Sequence, residues 1–252
     1  MIDAFIVVRL SSARLPEKAV MEILDKPMIE LMVERVRMSH LINKVVIATS
    51  VETTDDPLEE LSDRLGIGCY RGSLVNVMNR VHKAAEAHNS ETIIELLGDN
   101  PLVHCDLIDG VVKYYLDGKY DYAATVTREY PVAGINPKLK LFSVGVRVQV
   151  YSRKVAEKYV DYPEYFNNED KGTTAYIFEH PEIFKVGYFE AKDQWGFMNQ
   201  SELTFAVNYK KNFDMIRAIF EKNYPGDKNF SLEKVYEQLD KDKALYLLMG
   251  NE

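Results

Sequence analysis

The sequence predicts an α/β fold in which a mostly parallel sheet carries helices on both faces. Short apolar runs rich in β-branched residues recur along residues 1–126, and amphipathic segments with helical spacing separate them. Strands that alternate with helices in short units form parallel sheets with right-handed crossovers. The 252 residues, of which 46% are hydrophobic, are enough for one domain with a large core.

The first half of the chain contains the clearest predicted elements. Strands are predicted at Ala4–Val8, Lys44–Thr49, Ile67–Tyr70, Thr92–Leu97 and Tyr122–Val126. Helices are predicted at Met28–Met38, Pro57–Leu65, from a Ser73 cap to His88, and at Asp106–Leu116. We expect Asp55 or Asp56 to cap the second of these helices and Gly66 to end it.

The second half has a less regular pattern. It predicts strands at Leu141–Val150, Ile183–Phe189 and Leu203–Val207, and helices at Asn208–Lys222, after a Ser231 cap, and at Asp240–Met249. The aromatic and polar segment Asp161–Lys171 is expected to be a loop. We expect residues 127–200 to form a smaller inserted lobe, for substrate or for dimerisation, on a single domain of residues 1–252.

Composition narrows the class of protein. The formal net charge of −8 argues against binding to a nucleic acid polymer, which needs clustered Lys and Arg. The two cysteines, Cys69 and Cys105, lack metal-site spacing and are expected to be small buried hydrophobes in a reducing cytoplasm. No signal peptide is expected, and no apolar stretch reaches the length of about 18 residues that spans a membrane.

The loop Arg9–Lys18 directly follows the first predicted strand and concentrates cations. It reads RLSSARLPEK, with the cations Arg9, Arg14 and Lys18 and the hydroxyls Ser11 and Ser12. Ligands of parallel α/β sheets bind beyond the carboxyl ends of the strands, and Arg side chains with backbone N–H groups suit phosphate oxygens. The alternative is a solvated basic loop, but the place after the first strand favours a phosphate site.

Two further segments follow predicted strands. Asp99 comes directly after Thr92–Leu97, where a carboxylate can bind Mg²⁺ and, through it, nucleotide phosphates, although Asp is also common at turns. Arg71 follows the third strand and is placed to reach a nucleotide. For Arg80, on the next helix, a nucleotide contact and an ion pair stay equally open.

Together these loops resemble those of the cytidylyltransferases that make CMP-activated acidic sugars. That family includes CMP-Kdo synthetase, CMP-sialic acid synthetase and a spore-coat polysaccharide biosynthesis branch, whose first loop resembles AR-x-x-S-x-RLP-x-K. Segments that match in order are Val8–Lys18, Lys26–Ile29, Ala48–Ser50, Asp55–Pro57, Arg71–Ser73, Gly98–Leu102 and Asn229–Glu233. The resemblance implies a Rossmann-like fold similar to that of the nucleotide-diphospho-sugar transferases.

The resemblance also implies an activity, which is Mg²⁺-dependent transfer of CMP from CTP to an acidic sugar or another small anionic acceptor. Pyrophosphate leaves, and the pathway is surface polysaccharide or glycan biosynthesis. The residues implied in phosphate binding are Arg9, Ser12, Arg14 and Lys18, to which we add Ser11 of the same loop. Arg14 and Lys18 are the catalytic candidates, Ser50 and Arg71 are expected near base or ribose, and Asp99 is expected to bind nucleotide and Mg²⁺.

One departure from the family concerns the metal. The family has a late segment like VDTPEDL, whose first Asp is a second Mg²⁺ ligand, whereas this chain has Asn208 and Asn212 at the two acidic positions. Asn208 stays a metal candidate, but its neutral amide brings no charge and holds an ion more weakly. The alternative function is therefore a catalytically impaired nucleotide-binding or regulatory homologue.

Two further expectations concern the acceptor and assembly. Arg147 lies in an otherwise apolar alternation and is a candidate for binding an anionic acceptor, with an exposed strand residue as the equal alternative. Relatives dimerise through the lobe after the fifth strand, so we expect a homodimer. The aromatic stretch Tyr159–Phe166 either takes part in that contact or packs on its own domain.

Overall fold

A seven-stranded sheet lies at the centre of the computed structural model, which describes residues 1–129, 136–160 and 175–248. Its strands are β1 (Ile2–Val7), β4 (Val45–Ser50), β5 (Gly68–Gly72), β6 (Thr92–Leu97), β7 (Tyr122–Thr125), β8 (Val148–Ser152) and β9 (Val186–Phe189). A hairpin adds β2 (Glu22–Ile23) and β3 (Lys26–Pro27). The helices are α1 (Met28–Val36), α2 (Asp56–Leu65), α3 (Val77–Ala87), α4 (Cys105–Gly118), α5 (Arg153–Val160), α6 (Ala175–Glu179), α7 (Lys210–Asn223), α8 (Leu232–Lys241) and α9 (Lys243–Leu247).

The strand order is β5-β4-β1-β6-β8-β7-β9, and the strands are mostly parallel as predicted. β8 is the exception, since it runs antiparallel to both β6 and β7. The carboxyl ends of β1, β4, β5 and β6 meet at one edge, which we call the carboxyl edge. Because Leu96 near the end of β6 pairs with Val148 at the start of β8, the amino end of β8 lies at this edge too.

Helices cover both faces of the sheet, as the sequence predicts. Alternate residues of β1 supply the two cores, because successive side chains of a strand point to opposite faces. Ala4 and Ile6 belong to a buried cluster that includes α1 and α4, while Phe5 packs in a second cluster with α3 and α5. Within the described ranges, no helix is long and apolar enough to cross a membrane.

The predicted elements of the first half are confirmed, with shifts of a few residues at their ends. The third helix is the largest shift, because its cap is Asn76 rather than Ser73. The Asn76 side chain accepts a hydrogen bond from Asn79 N at 2.8 Å, and Ser73 Oγ accepts from Asn76 N at 3.0 Å. Ser73 therefore shapes the turn that leads into α3.

The predictions for the second half are corrected at two strands. Only Val148–Ser152 forms a strand where Leu141–Val150 was expected, and Leu203–Val207 makes one isolated bridge, from Thr204 to Val144. The cause is Gly145, which has a φ of 93° and whose missing Cβ would lie 2.2 Å from Ala206 N. The two segments therefore make a single parallel bridge at Val144 rather than a ladder.

Three other expectations for the second half have separate outcomes. The Ser231 cap is confirmed, since its side chain accepts from Lys234 N. The expected last helix is divided, because α8 ends and Asp242 then caps the separate helix α9. The predicted loop Asp161–Lys171 lies outside the described residues, as does Tyr159–Phe166 beyond the end of α5.

Candidate active site

The loop Arg9–Lys18 leaves the carboxyl edge as a closed turn. The Leu10 carbonyl accepts hydrogen bonds from Ser12 N at 2.8 Å and from Glu17 N at 2.9 Å. Glu17 has a φ of 58°, in the left-handed region, and this turn starts the short 3₁₀ helix Lys18–Val20. The side chains of Arg9, Ser11 and Arg14 are left exposed at the surface of the turn.

Asp55 fixes this loop to the end of β4. Its carboxylate accepts from Leu10 N at 2.8 Å, from Thr49 Oγ1 at 2.8 Å and from Ser50 N at 3.1 Å, as well as from the Ser50 hydroxyl. Burial alone would raise the pKa of the Asp55 carboxyl, but these hydrogen bonds outweigh it and lower the pKa. The Ser50 hydroxyl, predicted beside the base or ribose, is therefore engaged in holding the loop.

Lys18 and Asp99 meet at the carboxyl edge as an ion pair. Lys18 Nζ lies 3.1 Å from Asp99 Oδ2 and donates to the Val207 carbonyl at 2.6 Å. The other carboxylate oxygen of Asp99 accepts from Asn100 Nδ2 at 2.6 Å. The pair joins two residues that are 81 positions apart in the chain.

Gly98 makes this meeting possible. Its N–H donates to the Val7 carbonyl at 2.9 Å. A Cβ at this position would lie 2.7 Å from Val8 Cβ, closer than real contacts allow. The ends of β1 and β6 can therefore approach closely only with glycine here, and that approach places Asp99 beside the loop.

The segment before α7 forms the far wall of the site. Val207 N donates to the Asp99 carbonyl at 2.9 Å, which places Asn208 next to Asp99. The Asn208 side-chain oxygen is buried and has no hydrogen-bond donor among the described residues. Asn212 has a separate task, since its Oδ1 accepts from Tyr209 N at 3.0 Å at the start of α7. The Arg14 guanidinium lies 5.9 Å from the centre of the Tyr209 ring.

The oxygen atoms of Asp99 and Asn208 are suitable ligands for Mg²⁺, but together they form a weak site. Mg²⁺ prefers oxygen ligands, usually one or two carboxylates together with substrate phosphates. Asp99 offers one carboxylate and Asn208 offers an unpartnered amide oxygen. Asn212 already serves the helix end, so of the two asparagines only Asn208 bears on the metal.

Arg71 lies at the end of β5 in a dense set of acceptors. It forms ion pairs with Asp56 at 2.6 Å and Glu59 at 2.8 Å, and it donates to the carbonyls of Ser50 and Glu52. These contacts hold Arg71 between β4 and α2 at the carboxyl edge. A contact between Arg71 and a nucleotide stays a prediction.

Arg80 is a buried cation on α3, close to Arg9 of the loop Arg9–Lys18. It is 2% exposed and donates to the Ser73 carbonyl at 2.8 Å, while its Nε has no partner among the described residues. Burial, and then the nearby Arg9, lower the pKa of Arg80 to about 10. No ion pair holds Arg80 in the described part of the chain, so it adds a second positive charge close to Arg9.

Arg147 stands at the carboxyl edge, one residue before β8. Its N–H donates to Asn100 Oδ1 at 3.0 Å, and its Nη2 donates to Gln149 Oε1 at 3.0 Å. Gln149 is buried and donates in turn to Glu95 Oε1 at 3.1 Å. Arg147 is half-buried rather than an exposed strand residue, and it neighbours the residue that follows Asp99.

A family model described as Cytidylyltransferase matches residues 4–247. The chain belongs to this cytidylyltransferase family. Family membership assigns the protein to the nucleotidyltransferases and agrees with the resemblance that the loops indicate.

Two relatives are distant in sequence from this cytidylyltransferase but cover most of its length. The spore coat polysaccharide biosynthesis protein SpsF of Bacillus subtilis is 28% identical over 218 residues, which are 85% of this chain and 84% of that protein. An uncharacterized protein of Methanocaldococcus jannaschii is 26% identical over 99% of this chain and 95% of its own. A cytidylyltransferase structure from Leptospira borgpetersenii superposes with a TM-score of 0.83 at 21% identity, covering 100% of this chain and 98% of that one. That structure shows that the fold is shared.

A cluster of metal-binding residue types lies at the start of α4 of the cytidylyltransferase. His104 Nδ1 accepts from Asp106 N at 3.2 Å and caps the helix, and Cys105 Sγ lies 3.7 Å from the same ring nitrogen. Burial and then the neighbouring Arg35 lower the pKa of His104. A cap beside a buried cation is an unfavourable place for a metal. Cys105 is buried as expected, whereas Cys69 is only partly buried.

Sequence reasoning missed three parts of the site. Asp55, one of the two residues expected to cap α2, stands at the cap position, but its carboxylate binds the loop Arg9–Lys18 instead of the helix end. The Val207 carbonyl and the Asn100 amide were not predicted, because backbone atoms and amides leave no pattern in a sequence. A signal for Asp55 did exist, since the family resemblance includes it.

Proposed function

We propose that this cytidylyltransferase transfers CMP from CTP to an acidic sugar or another small anionic acceptor, with release of pyrophosphate, in surface polysaccharide or glycan biosynthesis. The observation that carries the proposal is the convergence of three groups at the carboxyl edge. They are the cationic loop Arg9–Lys18, the carboxylate of Asp99, and Arg147, whose backbone N–H donates to the side chain of Asn100, the residue after Asp99. A nucleotide and an anionic acceptor both need such cations near a metal-binding carboxylate.

The loop suits a triphosphate by charge and by exposure. We assign phosphate binding to Arg9, Ser11, Ser12, Arg14 and Lys18. Arg9 and Arg14 are exposed on a turn whose backbone is held by Asp55, so their donors are available to a ligand. Ser50 and Arg71 lie on the base or ribose side of the proposed site.

Asp99 and Asn208 are the residues that would hold Mg²⁺ beside the phosphates. When bound, Mg²⁺ neutralises phosphate charge and orients the phosphates for displacement. The two residues are neighbours, because Val207 N donates to the Asp99 carbonyl. A single carboxylate gives a weak protein site, so we expect the nucleotide to supply the remaining oxygen ligands.

The reaction is an attack by an acceptor oxygen on the α-phosphorus of CTP. The acceptor hydroxyl gives up its proton to solvent as its oxygen bonds to the α-phosphorus. The bond from the α-phosphorus to the bridging oxygen breaks, and pyrophosphate leaves with that oxygen and its negative charge. Such transfers depend mainly on positioning and on charge stabilisation. Arg14 and Lys18 are the cations placed to stabilise that developing charge.

The acceptor side follows from Arg147. Its guanidinium can pair with a carboxylate or phosphate in a forked geometry. We place the acceptor beside Arg147, and we propose residues 127–200 as a sub-lobe of a single domain of residues 1–252. We also propose that the enzyme acts in the cytoplasm, where CTP is made, and as a homodimer.

Asn208 favours one second candidate function. With an amide in place of the usual aspartate, the site has lost one negative charge, and the protein would then bind nucleotide without efficient catalysis. This candidate is a nucleotide-binding or regulatory homologue of the same fold. It shares the loop Arg9–Lys18 with the enzyme and differs in the strength of the metal site.

The experiment combines binding and turnover. Calorimetric titration with CTP, GTP, UTP and ATP, each with and without Mg²⁺, measures selectivity, and pyrophosphate release from CTP with a panel of acidic sugars measures activity. Selective, Mg²⁺-enhanced CTP binding with release for one acceptor supports the enzyme. CTP binding without release, in the protein and in Asn208→Asp alike, supports the regulatory candidate. If no nucleotide binds, both candidates are wrong.

A further inference from the structure

The protein itself neutralises the negative charge of Asp99, the carboxylate that we propose as a metal ligand. Both oxygens of Asp99 have partners, since Oδ1 accepts from Asn100 Nδ2 and Oδ2 pairs with Lys18 Nζ. The negative charge of Asp99 is therefore balanced by the positive charge of Lys18. The neighbouring amides of Asn100 and Asn208 add no charge to this balance.

Lys18 is held in this place by more than the ion pair. Its ammonium also donates to the Val207 carbonyl at 2.6 Å, the residue directly before Asn208. The Lys18 side chain is only 12% exposed. Lys18 is also the first residue of the 3₁₀ helix Lys18–Val20, which packs against α1. The ammonium thus bridges the two segments that carry the proposed metal ligands, which is where a divalent ion would lie.

We propose that Lys18 acts as a built-in counter-cation that competes with the divalent metal for Asp99, so that the protein takes up metal together with its nucleotide and not in advance. This inference rests on the proposed function of the site. The phosphates of the nucleotide offer Lys18 another anionic partner. When Lys18 turns to them, Oδ2 of Asp99 becomes a metal ligand.

Asn208 determines whether Lys18 or the divalent metal prevails in the competition for Asp99. An aspartate at position 208 would leave one net negative charge beside Lys18, and a divalent ion would then bind to the protein alone. With Asn208 the sum of formal charges over Lys18, Asp99 and residue 208 is zero. Lys18 and Asn208 together therefore set the order in which the metal and the nucleotide bind to this protein.

The test is Mn²⁺ binding to the protein without nucleotide, followed by the loss of the electron paramagnetic resonance signal of free Mn²⁺. We expect weak binding to the natural chain. Lys18→Met should bind one Mn²⁺ about tenfold more tightly, because the competing charge about 3 Å from the carboxylate is gone. Asn208→Asp should tighten Mn²⁺ binding as well, with Lys18 still present.

Two controls make the result specific. Lys83→Met removes an exposed lysine on α3 that pairs with Glu86, so it makes the same change in net charge away from Asp99. It should bind Mn²⁺ as the natural chain does. Adding Asp99→Asn to Lys18→Met should abolish the gain. Lys18→Gln repeats the test if the methionine variant fails a thermal unfolding check.

The proposal is overturned if both Lys18 variants bind Mn²⁺ no more tightly than the natural chain does. This measurement contains no nucleotide, so it is separate from the calorimetric test of CTP binding. A failure of CTP to bind would remove the proposed function, while the Mn²⁺ comparison would still report whether Lys18 shields Asp99.

Discussion

Asp55 shows how a single residue holds the site together. It is fully buried, and its carboxylate joins the loop after β1 to the end of β4. We predict that Asp55→Asn lowers the free energy of unfolding by about 2 kcal/mol, since an amide cannot accept from all of these donors. CTP affinity should fall as well, because the loop Arg9–Lys18 loses its anchor. Urea unfolding and calorimetry measure the two effects.

The stability difference between the natural chain and Asp55→Asn should change with pH in a direction that follows from the pKa shift of Asp55. The pKa of Asp55 is lowered in the folded protein, so its contribution is present above the ordinary pKa of about 3.9 and is lost as the pH falls through the folded value. The difference between the natural chain and Asp55→Asn should therefore narrow below about pH 4. Asp56→Asn, an exposed neighbour that pairs with Arg71, is the control and should cost less than about 1 kcal/mol. Equal stability of the two variants would contradict the assignment.

At the residue scale, the sequence predicts which residue types gather at the site better than it predicts their partners. Arg9, Lys18 and Asp99 are placed at the carboxyl edge because they follow strands, and following a strand is visible in the pattern. The contact between Lys18 and Asp99 is not visible, since it depends on how two distant loops lie in space. The ion pairs of Arg71 with Asp56 and Glu59 are likewise not visible in the sequence, and its contact with a nucleotide stays a prediction.

At the scale of elements, the close approach of β1 and β6 depends on Gly98. We predict that Gly98→Ala lowers the free energy of unfolding by about 1–3 kcal/mol, because the added methyl group overlaps Val8 and the strand ends must separate. Asp99 would move with the end of β6, so CTP binding should weaken. Unfolding by urea and titration with CTP check both results.

Gly196→Ala is the matched control for this prediction. A Cβ at Gly196 meets nothing within 4 Å, so the same chemical change should leave stability and CTP affinity close to those of the natural chain. If Gly98→Ala behaves like this control, the separation of the strand ends does not govern the site.

The strands β1, β4, β6 and β7 were predictable because they are mostly buried on both faces and appear as largely apolar runs, whereas the edge strand β5 is only half-buried. The segment Leu141–Val150 alternates in the way a half-exposed strand does, yet only its last residues join the sheet. The φ of Gly145 and its contact with Ala206 divide the segment. That contact spans distant parts of the chain, and periodicity within the segment carries no information about it.

At the scale of the whole molecule, Arg35 ties the C-terminal part of the chain to α1 and to the segment between β6 and α4. It is buried on α1 and donates to the carbonyls of Leu102, Val103 and Phe230, and its guanidinium lies 4.3 Å from the centre of the Phe230 ring. We predict that Arg35→Met lowers the free energy of unfolding by roughly 3 kcal/mol, since buried carbonyls lose their donors. Residues near Phe230 should become sensitive to limited proteolysis.

Arg37→Met on the neighbouring turn provides the comparison. Arg37 is exposed and donates to the carbonyls of Leu65 and Gly66, so its loss should cost less than about 1 kcal/mol and leave the C-terminal part protected. Proteolysis that is the same in both arginine variants would contradict the role of Arg35 as a tie. The resemblance predicted the fold at this scale, but it gave no indication of this internal arginine.

The reversed direction of β8 has a consequence for the order in which the protein can form during synthesis. β7 leaves the ribosome before β8, yet β8 lies between β7 and β6 in the sheet. Until Ser152 has emerged, β6 keeps an open edge, and its buried Glu95 lacks the Tyr151 and Gln149 groups that later bond it. A nascent chain that has emerged only to about residue 126 therefore exposes an unpaired strand edge, and the side of the site formed by Arg147 is completed after the loop Arg9–Lys18 has formed.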